Sequence, residues 1–345
     1  AYFRRMAAMS RNVAKAYLAQ RERLGYPLSK NGKSWQYAEK KTSVGMSTFG
    51  VPPAPADFLL EIGTEELPAA DLDHALAHLH EAAPKWLAEL RLVHHGVEIY
   101  GTPRRLILLV RSLAPKQPDE DRLVRGPSAN IAFDAAGKPT QAALGFARKQ
   151  GIDPALLQPT EMEGGTYAAA RIQMAGKSAL EVLSEGLPGF INGIRFAESM
   201  RWNSGGIAFS RPIRWLVALF GDLPISFAYA EVWSTQFTRG TRPKGSPDLA
   251  ISNSAEYFAV MRREGILVDP RERRATILAQ AESLAAQVNG KLLYDEGLLT
   301  EVGNLVEQPT ALRGTFAARF LQLPRDVLIT VMRDKQRYFA VEDAD

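Results

Sequence analysis

The stretch Phe58-Leu59-Leu60-Glu61-Ile62-Gly63-Thr64-Glu65-Glu66, followed by Leu67-Pro68-Ala69, decides how this sequence is organised. It opens with a short apolar run of strand length and ends in acidic residues, after which a helical pattern begins. In front of it lie a Pro/Ala stretch, Val51 to Ala56, and a polar run without periodicity. The folded body is therefore predicted to begin near residue 57, like the amino terminus of a protein, although this stretch lies inside the chain.

Residues 1 to 24 have the pattern of one amphipathic helix. Apolar residues recur at spacings near three and four, with Arg and Lys on the other side, and Gly25 with Pro27 is expected to end the helix. A lone helix with an apolar stripe has to pack on a partner. Residues 29 to 56 are predicted to be a flexible linker. The opening Ala1-Tyr2-Phe3 has neither a start methionine nor a secretory signal, which predicts a piece of a longer protein.

Composition places the chain among globular proteins. Its 345 residues are 46% apolar, which favours two or three domains. The longest uncharged apolar runs, such as residues 215 to 220, are far shorter than the about 20 residues of a membrane helix, so no membrane span is expected. The absence of cysteine excludes disulfides and thiolate chemistry and is compatible with a reducing compartment. We therefore predict a cytoplasmic location.

The basic charge of the chain is concentrated at its start. Residues 1 to 41 hold ten Lys or Arg against two Glu, a net charge of +8, and since the whole chain carries +4 the remaining residues carry −4. Any nucleic-acid contact by the main body therefore has to use local patches and not a general positive field.

The body mixes helical and strand patterns without a regular strand-helix alternation. Strands are expected at 58–62, 104–110, 166–174, 310–312 and 338–341, and 213–220 with 224–232 is expected to form a hairpin. Helices are expected at 72–90, 139–149, 177–187, 298–307 and 324–335, and two more are marked by caps at Asn253/Glu256 and Asp269-Pro270. The predicted class is α+β, multidomain, with mixed helices and mostly antiparallel sheets. The expected segments are an isolated helix at 1–28, a linker at 29–56, a first domain at 57–197 and a second region at 198–345.

Catalytic motifs are largely absent. Ala175-Gly176-Lys177-Ser178 lacks the earlier glycine of a phosphate loop, and no dinucleotide fingerprint, nucleophile elbow or zinc-protease motif is present. His74 and His78 have metal-ligand spacing, but no third ligand is evident and a solvated surface is favoured. Glu61, Glu65 and Glu66 could act as acid-base groups or bind Mg²⁺, but a strand-to-helix turn explains them as well. No catalytic residue and no metal ligand is predicted.

Basic residues next to aromatic ones are the better candidates, because guanidinium groups and rings offer phosphate contacts and stacking surfaces for RNA. Buried ion pairs and core tryptophans would produce the same pattern. The candidate tRNA-binding residues are Arg104, Arg105, Arg201, Arg211, Arg214, Arg333, Lys335 and Arg337.

The order of nine short motifs resembles the amino-terminal half of the β-subunit of the bacterial two-subunit glycyl-tRNA synthetase, and residues 1 to 28 resemble the end of its α-subunit. The motifs are Leu-Leu-Glu-Ile-Gly-Thr-Glu-Glu-Leu-Pro-Ala (59–69), Thr-Pro-Arg-Arg-Leu (102–106), Arg-Gly-Pro (125–127), Ala-Phe-Asp with Gly-Lys-Pro-Thr (132–140), Gly-Phe-Ala-Arg (145–148), Met-Arg-Trp (200–202), Phe-Ser-Arg-Pro-Ile-Arg-Trp (209–215), Leu-Val-Glu-Gln-Pro (305–309) and Gln-Arg-Tyr-Phe (336–339). The chain thus resembles a fragment of a fused α-β enzyme. One departure is Gly240-Thr241-Arg242-Pro243, where the family pattern has Gly-His-Arg-Phe.

The resemblance implies a role within glycine-tRNA ligase. In that family the α-subunit activates glycine with ATP, and the β-subunit binds tRNA. The implied partners are tRNA-Gly and the α-subunit catalytic domain, in an α2β2 assembly or a dimer of fused chains. ATP and Mg²⁺ are expected for the complete enzyme and no cofactor for this segment, which alone should be inactive. Two alternatives stay open: a stand-alone RNA-binding or scaffolding module, and an editing-type hydrolase.

Overall fold

The computed structural model describes residues 2–23, 51–134, 136–151, 153–202 and 204–343. The chain divides into two compact units, 1–48 and 49–345. The helices are α1 (Tyr2–Arg23), α2 (Ala69–Glu89), α3 (Ala129–Ala132), α4 (Gln141–Gln150), α5 (Ala179–Gly193), α6 (Tyr257–Arg263), α7 (Pro270–Ala286), α8 (Glu296–Gly303) and α9 (Arg325–Thr330). The strands are β1 (Ala56–Thr64), β2 (Gly96–Thr102), β3 (Arg105–Leu113), β4 (Glu120–Ser128), β5 (Gln158–Met162), β6 (Gly165–Met174), β7 (Met200–Arg201), β8 (Ala208–Phe209), β9 (Ile213–Phe220), β10 (Leu223–Pro224), β11 (Ala228–Tyr229), β12 (Val232–Thr235), β13 (Phe237–Arg239), β14 (Asp248–Ala250), β15 (Gly290–Leu292) and β16 (Val341–Asp343). The predicted α+β class is confirmed.

The first unit contains the predicted helix α1. Along it, Met9, Val13 and Tyr17 recur every four residues and are more than half exposed. The predicted end at Gly25 and the predicted linker up to residue 50 lie outside the described residues.

The second unit is built on a seven-stranded sheet in the order β11-β12-β9-β1-β3-β2, with β10 also pairing with β9. All pairs are antiparallel except β12 with β9. The central strand β1 thus lies between β3 and β9, which come from opposite sides of the expected boundary at residue 197. The two halves of the body therefore share this sheet.

Both faces of the sheet are covered, because β1 alternates between two apolar cores. Phe58, Leu60 and Ile62 face a core formed with α2 and α5. Leu59 faces a second core formed with α6 and the residues that follow it. On the first face, the rings of Trp86 and Phe190 stack at 4.4 Å and join the two helices. The near-continuous apolar sequence of β1 and β3 follows from this two-sided burial.

A small module interrupts the sheet between β3 and α5. Its strands form a separate sheet in the order β4-β6-β5, and α3 and α4 pack on one face of it through an alanine-rich core. The two connecting segments run side by side, since Gln117 N donates to Lys177 O and Lys116 bridges to Ser178. The module is therefore an insertion that leaves and re-enters the body at one place.

Two strand expectations need correction. The expected strand 224–232 is broken into β10 and β11, because β12 takes the edge of β9 at Leu216 and Val217. The expected strand 310–312 is wrong: this segment is irregular, and the backbone N–H of Ala311 is bound by the side chain of Gln280 instead of a neighbouring strand. The strand expected at 338–341 overlaps β16 only at Val341, because the pairing with β15 covers Val341–Asp343.

The start of α7 supports a stability prediction. Asp269 caps the helix by accepting a hydrogen bond from Arg271 N at 2.8 Å. Burial would raise the pKa of Asp269, but hydrogen bonds from Arg271 outweigh burial and hold it below the ordinary value of 3.8. We expect Asp269→Ala to lower the free energy of unfolding by about 1 kcal/mol at neutral pH. Urea denaturation measures this.

The stabilisation of α7 by the Asp269 cap should decrease at acidic pH. The pKa of Asp269 is lower in the folded state than in the unfolded state. The stabilisation by its carboxylate is therefore fully present at a pH above the pKa of the unfolded state, and it is lost as the pH falls through the pKa of the folded state. The difference between wild type and Asp269→Ala should therefore shrink below about pH 4. Glu282→Ala, an exposed change in the same helix, should stay within about 0.5 kcal/mol of wild type. Equal effects for both variants would contradict the capping role.

Candidate functional site

A network of buried charges lies on the α6 side of the sheet. Glu61 of β1 and Arg105 of β3 are both completely buried. Arg105 Nη1 lies 3.7 Å from Glu61 Oε1, and its Nε lies 3.0 Å from Oε1 of Glu307. Glu307 belongs to the segment after α8, so the network joins the carboxy-terminal part of the body to the sheet.

Trp215 of β9 completes the network from the other side. Its indole Nε1 donates to Glu61 Oε1 at 2.8 Å, and the hydroxyl of Thr238 donates to the same oxygen at 2.8 Å. The indole ring lies directly over Gly63, where an added Cβ would come within 1.9 Å of ring atoms. Glycine at this strand position is therefore required by the close approach of the ring.

Arg104 extends the network towards the loop at 240–246. Its guanidinium donates to Gly240 O at 3.2 Å and Ser246 Oγ at 3.0 Å and lies 3.6 Å from Glu307 Oε2. Thr102 Oγ1 donates to Glu307 Oε1 at 2.7 Å. Glu307 is thus held by both adjacent arginines and by a hydroxyl.

Burial and charge pairing act against each other in this network. Burial opposes the charge of Arg105, but Glu307 and Glu61 outweigh it and raise its pKa above the ordinary value. For Arg104, burial dominates and lowers the pKa. Burial also raises the pKa of Tyr257, which is fully buried beside the network, well above 10.

The structure therefore places Arg104 and Arg105 in the core. They are 6% and 0% exposed, and their guanidinium groups are turned to Glu307 and Glu61. For these two candidates the structure shows the buried ion pairs that were the alternative interpretation of their sequence pattern.

The acidic turn after β1 is engaged by arginines at the surface. Glu65 Oε1 lies 3.2 Å from Arg214 Nε, and the other oxygen contacts Arg242. Arg242 also lies 3.3 Å from Glu66. Arg242 belongs to the segment that departs from the family pattern, and its charge holds this turn. Glu61, by contrast, belongs to the buried network and not to this cluster.

Arg201 and Arg211 lie on one surface hairpin. Arg201 pairs with Ala208 across β7 and β8, and Arg211 follows β8 by two residues. Their guanidinium groups donate to backbone carbonyls, of Gly206 and Ser210, and neither has a carboxylate partner among the described residues. Trp202, 39% exposed, donates its Nε1 to Phe209 O. The hairpin thus carries an indole and two guanidinium groups without an ion pair among the described residues, and the carboxylate of Glu231 is bound at its turn by Ser204 and Gly205.

The last candidates lie after α9. Arg333 pairs with Asp334 at 2.7 Å and Asp295 at 3.5 Å, and Arg337 pairs with Glu301 at 2.6 Å. Lys335 is exposed and forms no ion pair within 4 Å among the described residues, although its charge, after that of Arg333, helps to lower the pKa of Asp334. Arg333 also lines a small cleft with Arg325, and the other lining residues include Tyr294, Asp295, Leu298 and Tyr338. Because Glu342 and Asp326 pair with Arg325, the charge at this cleft is balanced.

The described part of the chain offers neither a metal site nor a membrane helix. Within those ranges, no group of three or more His, Asp or Glu side chains could hold a metal ion. None of the described helices is both long and apolar enough to cross a bilayer.

Several residues of the buried network are not evident from the sequence. Thr238, Tyr257 and Glu307 are separated from Glu61 and Arg105 by more than 130 residues, so no local spacing connects them. Glu307 does occur in the motif Leu-Val-Glu-Gln-Pro (305–309), and that is the one signal for it in the sequence.

Comparison of this sequence with known proteins identifies its family and several relatives. A sequence model described as "Glycyl-tRNA synthetase beta subunit" matches residues 58–345. "Glycine--tRNA ligase, chloroplastic/mitochondrial 2" of Arabidopsis thaliana is 41% identical over 342 residues, 99% of this chain and 32% of the plant protein. "Glycine--tRNA ligase beta subunit" of Desulforamulus reducens is 44% identical over 285 residues, 83% of this chain and 41% of the relative. The subunit of the same name from Geobacter metallireducens is 42% identical over 287 residues, 83% of this chain and 42% of the relative.

These relatives are much longer than the present chain, which spans about a third of the plant protein and about two fifths of the bacterial subunits. The family match nevertheless covers the body from residue 58, within β1, to residue 345. The chain belongs to the glycyl-tRNA synthetase beta subunit family.

Proposed function

We propose that this chain is part of a glycine-tRNA ligase, which joins glycine to tRNA-Gly with conversion of ATP to AMP and diphosphate. Within that enzyme the chain binds and positions tRNA-Gly and holds the α and β parts together, and it does not perform the chemical step. The observation that carries the proposal is the family match over residues 58–345, with 41–44% identity to proteins named as glycine-tRNA ligases or their beta subunits.

The proposal includes a fused origin for residues 1–57. The bacterial beta subunits align with 83% of this chain, whereas the plant enzyme aligns with 99%. The family model likewise begins at residue 58. We take α1 as the end of the α part, whose apolar stripe packs on the α-subunit catalytic domain. The complete enzyme would be an α2β2 assembly or a dimer of fused chains.

The tRNA contact is assigned to the hairpin of β7 and β8. This hairpin combines the guanidinium groups of Arg201 and Arg211, which are bound only to backbone carbonyls, with the indole of Trp202, a combination that suits phosphate contacts and base stacking. Lys335 is a further candidate, since it is exposed and forms no ion pair within 4 Å among the described residues. Arg214, Arg333 and Arg337 are each paired with a carboxylate, so RNA would have to displace that partner first.

ATP and Mg²⁺ are assigned to the complete enzyme. In this chain the surface carboxylates Glu65 and Glu66 are held by Arg214 and Arg242, and the described residues offer no metal-binding cluster. A cytoplasmic location also stays a prediction, because the plant relative is named chloroplastic/mitochondrial.

Footprinting of tRNA-Gly with the purified chain tests the proposal. Protection of tRNA-Gly over unrelated tRNAs supports it, whereas equal, salt-dependent affinity for any RNA would favour a general RNA-binding module. Two assays accompany the footprint. Glycine-dependent ATP-pyrophosphate exchange by the chain alone would contradict the assigned division of labour, and hydrolysis of mischarged tRNA-Gly would favour an editing enzyme.

The two arginines of the β7–β8 hairpin should contribute measurably to the affinity for tRNA-Gly. We expect Arg201→Ala/Arg211→Ala to weaken tRNA-Gly binding by about tenfold, because two phosphate contacts are lost. The slope of log affinity against log salt should fall by about one to two units. Fluorescence anisotropy at several salt concentrations measures both. Lys85→Ala, which removes an exposed lysine paired with Glu81 on α2, should leave affinity and slope unchanged. A double variant that behaves like Lys85→Ala would disprove this contact.

A further inference from the structure

The inserted module has one sheet face that is not covered by its helices. In β6 the side chains alternate, so Ala168 and Ala170 face the core with α4, whereas Tyr167 and Arg171 lie on the opposite face. Cross-strand pairing adds Arg125, opposite Ala169, to the same side. We call this surface the outer face and define it by the side chains of Leu123, Arg125, Tyr167 and Arg171.

The outer face combines planar, cationic and apolar groups. The guanidinium of Arg125 stacks on the ring of Tyr167, with its central carbon 3.6 Å from the ring centroid. Leu123, opposite Arg171, is 43% exposed. A flat guanidinium-ring stack is a surface on which a nucleobase can stack, and the neighbouring aliphatic side chain suits the edge of a base.

The charge of the outer face favours an anionic ligand. Neither Arg125 nor Arg171 has a carboxylate partner among the described residues, and Arg125 makes only a long hydrogen bond to Glu163 O at 3.5 Å besides its stack. The negative charge of Asp121, further along β4 on the same side of the sheet, partly offsets the positive charge of the two arginines. About half of the arginines of the main body are paired with carboxylates within the described residues.

We propose that the outer face binds an unpaired stretch of RNA, with one base stacked on the Arg125–Tyr167 pair and a phosphate bound by Arg171. In the glycine-tRNA ligase proposed above, that RNA is a single-stranded part of tRNA-Gly, so this inference rests on the proposed function for its biological ligand. Unpaired RNA is favoured over a duplex because only unstacked bases expose their planes to a sheet surface.

Affinities of the full chain for tRNA-Gly and for a single-stranded oligouridine test the inference. We expect Tyr167→Leu and Arg171→Gln each to weaken binding of both RNAs by about tenfold. Tyr167→Leu should leave the salt slope unchanged, since it removes only stacking, whereas Arg171→Gln should lower the slope by about 0.7. Arg148→Gln is the matched control, because it removes an exposed cation on α4, away from the outer face. Circular dichroism of each variant verifies folding.

The outcomes separate this inference from the proposed function. If both outer-face variants behave like Arg148→Gln while the hairpin variant weakens tRNA binding, the outer face is not an RNA site and the proposed function stands. If oligouridine binding depends on the outer face but tRNA-Gly is not bound, the inference holds and the proposed function fails. If the wild-type chain binds neither RNA, both are overturned. If Tyr167→Leu and Arg171→Gln weaken binding of the chain to the α-subunit catalytic domain but not to RNA, the outer face contacts a protein partner and the inference is overturned.

Discussion

Replacement of Arg105 by methionine is expected to lower the free energy of unfolding by about 3–5 kcal/mol, because it leaves the buried carboxylate of Glu61 without a counter-charge and leaves Glu307 with Arg104 alone. Glu61 is completely buried and the side chain of Glu307 is 9% exposed, so water cannot replace the lost guanidinium. The same change also removes a hydrogen bond to the carbonyl of Arg239. Urea denaturation followed by tryptophan fluorescence measures the loss.

The matched control for this prediction lies on the same strand. Arg111 of β3 also pairs with two carboxylates, Asp57 and Glu98, but its side chain is 43% exposed. Arg111→Met should therefore cost no more than about 1 kcal/mol. The double variant Arg105→Met/Glu61→Gln should be less destabilised than the sum of its single changes, since it removes one of the stranded charges together with its partner. Similar losses for Arg105→Met and Arg111→Met would show that burial does not decide the strength of these pairs.

Replacement of Gly63 by alanine is the second change with a large expected effect. The new methyl group would lie 1.9 Å from the ring of Trp215, and β1 cannot yield because it is paired on both sides. The indole would have to move and would lose its hydrogen bond to Glu61. Overpacking together with a weakened hydrogen bond to a buried carboxylate should cost about 3 kcal/mol. Thermal and urea denaturation both report this loss.

A second glycine provides the control. Gly96 begins β2 and has nothing within 4 Å of an added Cβ, so Gly96→Ala should change the free energy of unfolding by no more than about 0.5 kcal/mol. If the collision with the ring is the cause, Trp215→Phe should relieve part of it, and Gly63→Ala/Trp215→Phe should be less destabilised than the sum of the single variants. Strict additivity would exclude the proposed contact as the source of the effect.

Local patterns predicted most of the described helices but fewer than half of the described strands. The cap at Asp269-Pro270 marks the start of α7, and the apolar periodicity through Leu72 and Leu79 marks α2. These signals are short-range, because a cap or a helical stripe depends on residues within one or two turns. The strand expected at 310–312 failed for the opposite reason: a strand exists only if another strand is placed beside it.

The candidate site was less predictable than the fold. The pairing of arginine with aromatic residues selected Arg105 and Arg201 alike, yet one is buried against Glu307 and the other lies on an exposed hairpin. The outer face was not selected, although the alternation of β6 already places Tyr167 and Arg171 on one side of the strand. Arg125 joins them only through the pairing of β4 with β6.

The sequence by itself determined the family, the α+β class, the cap of α7 and the first strand of the body, β1, because each of these depends on residues that are close together or on an ordered set of motifs. Only the tertiary structure decided which arginines are in the core and which are at the surface. An ion pair such as that of Arg105 with Glu307 requires two segments about two hundred residues apart to meet in a place without water. The strength of that pair depends on this burial, which no local pattern contains.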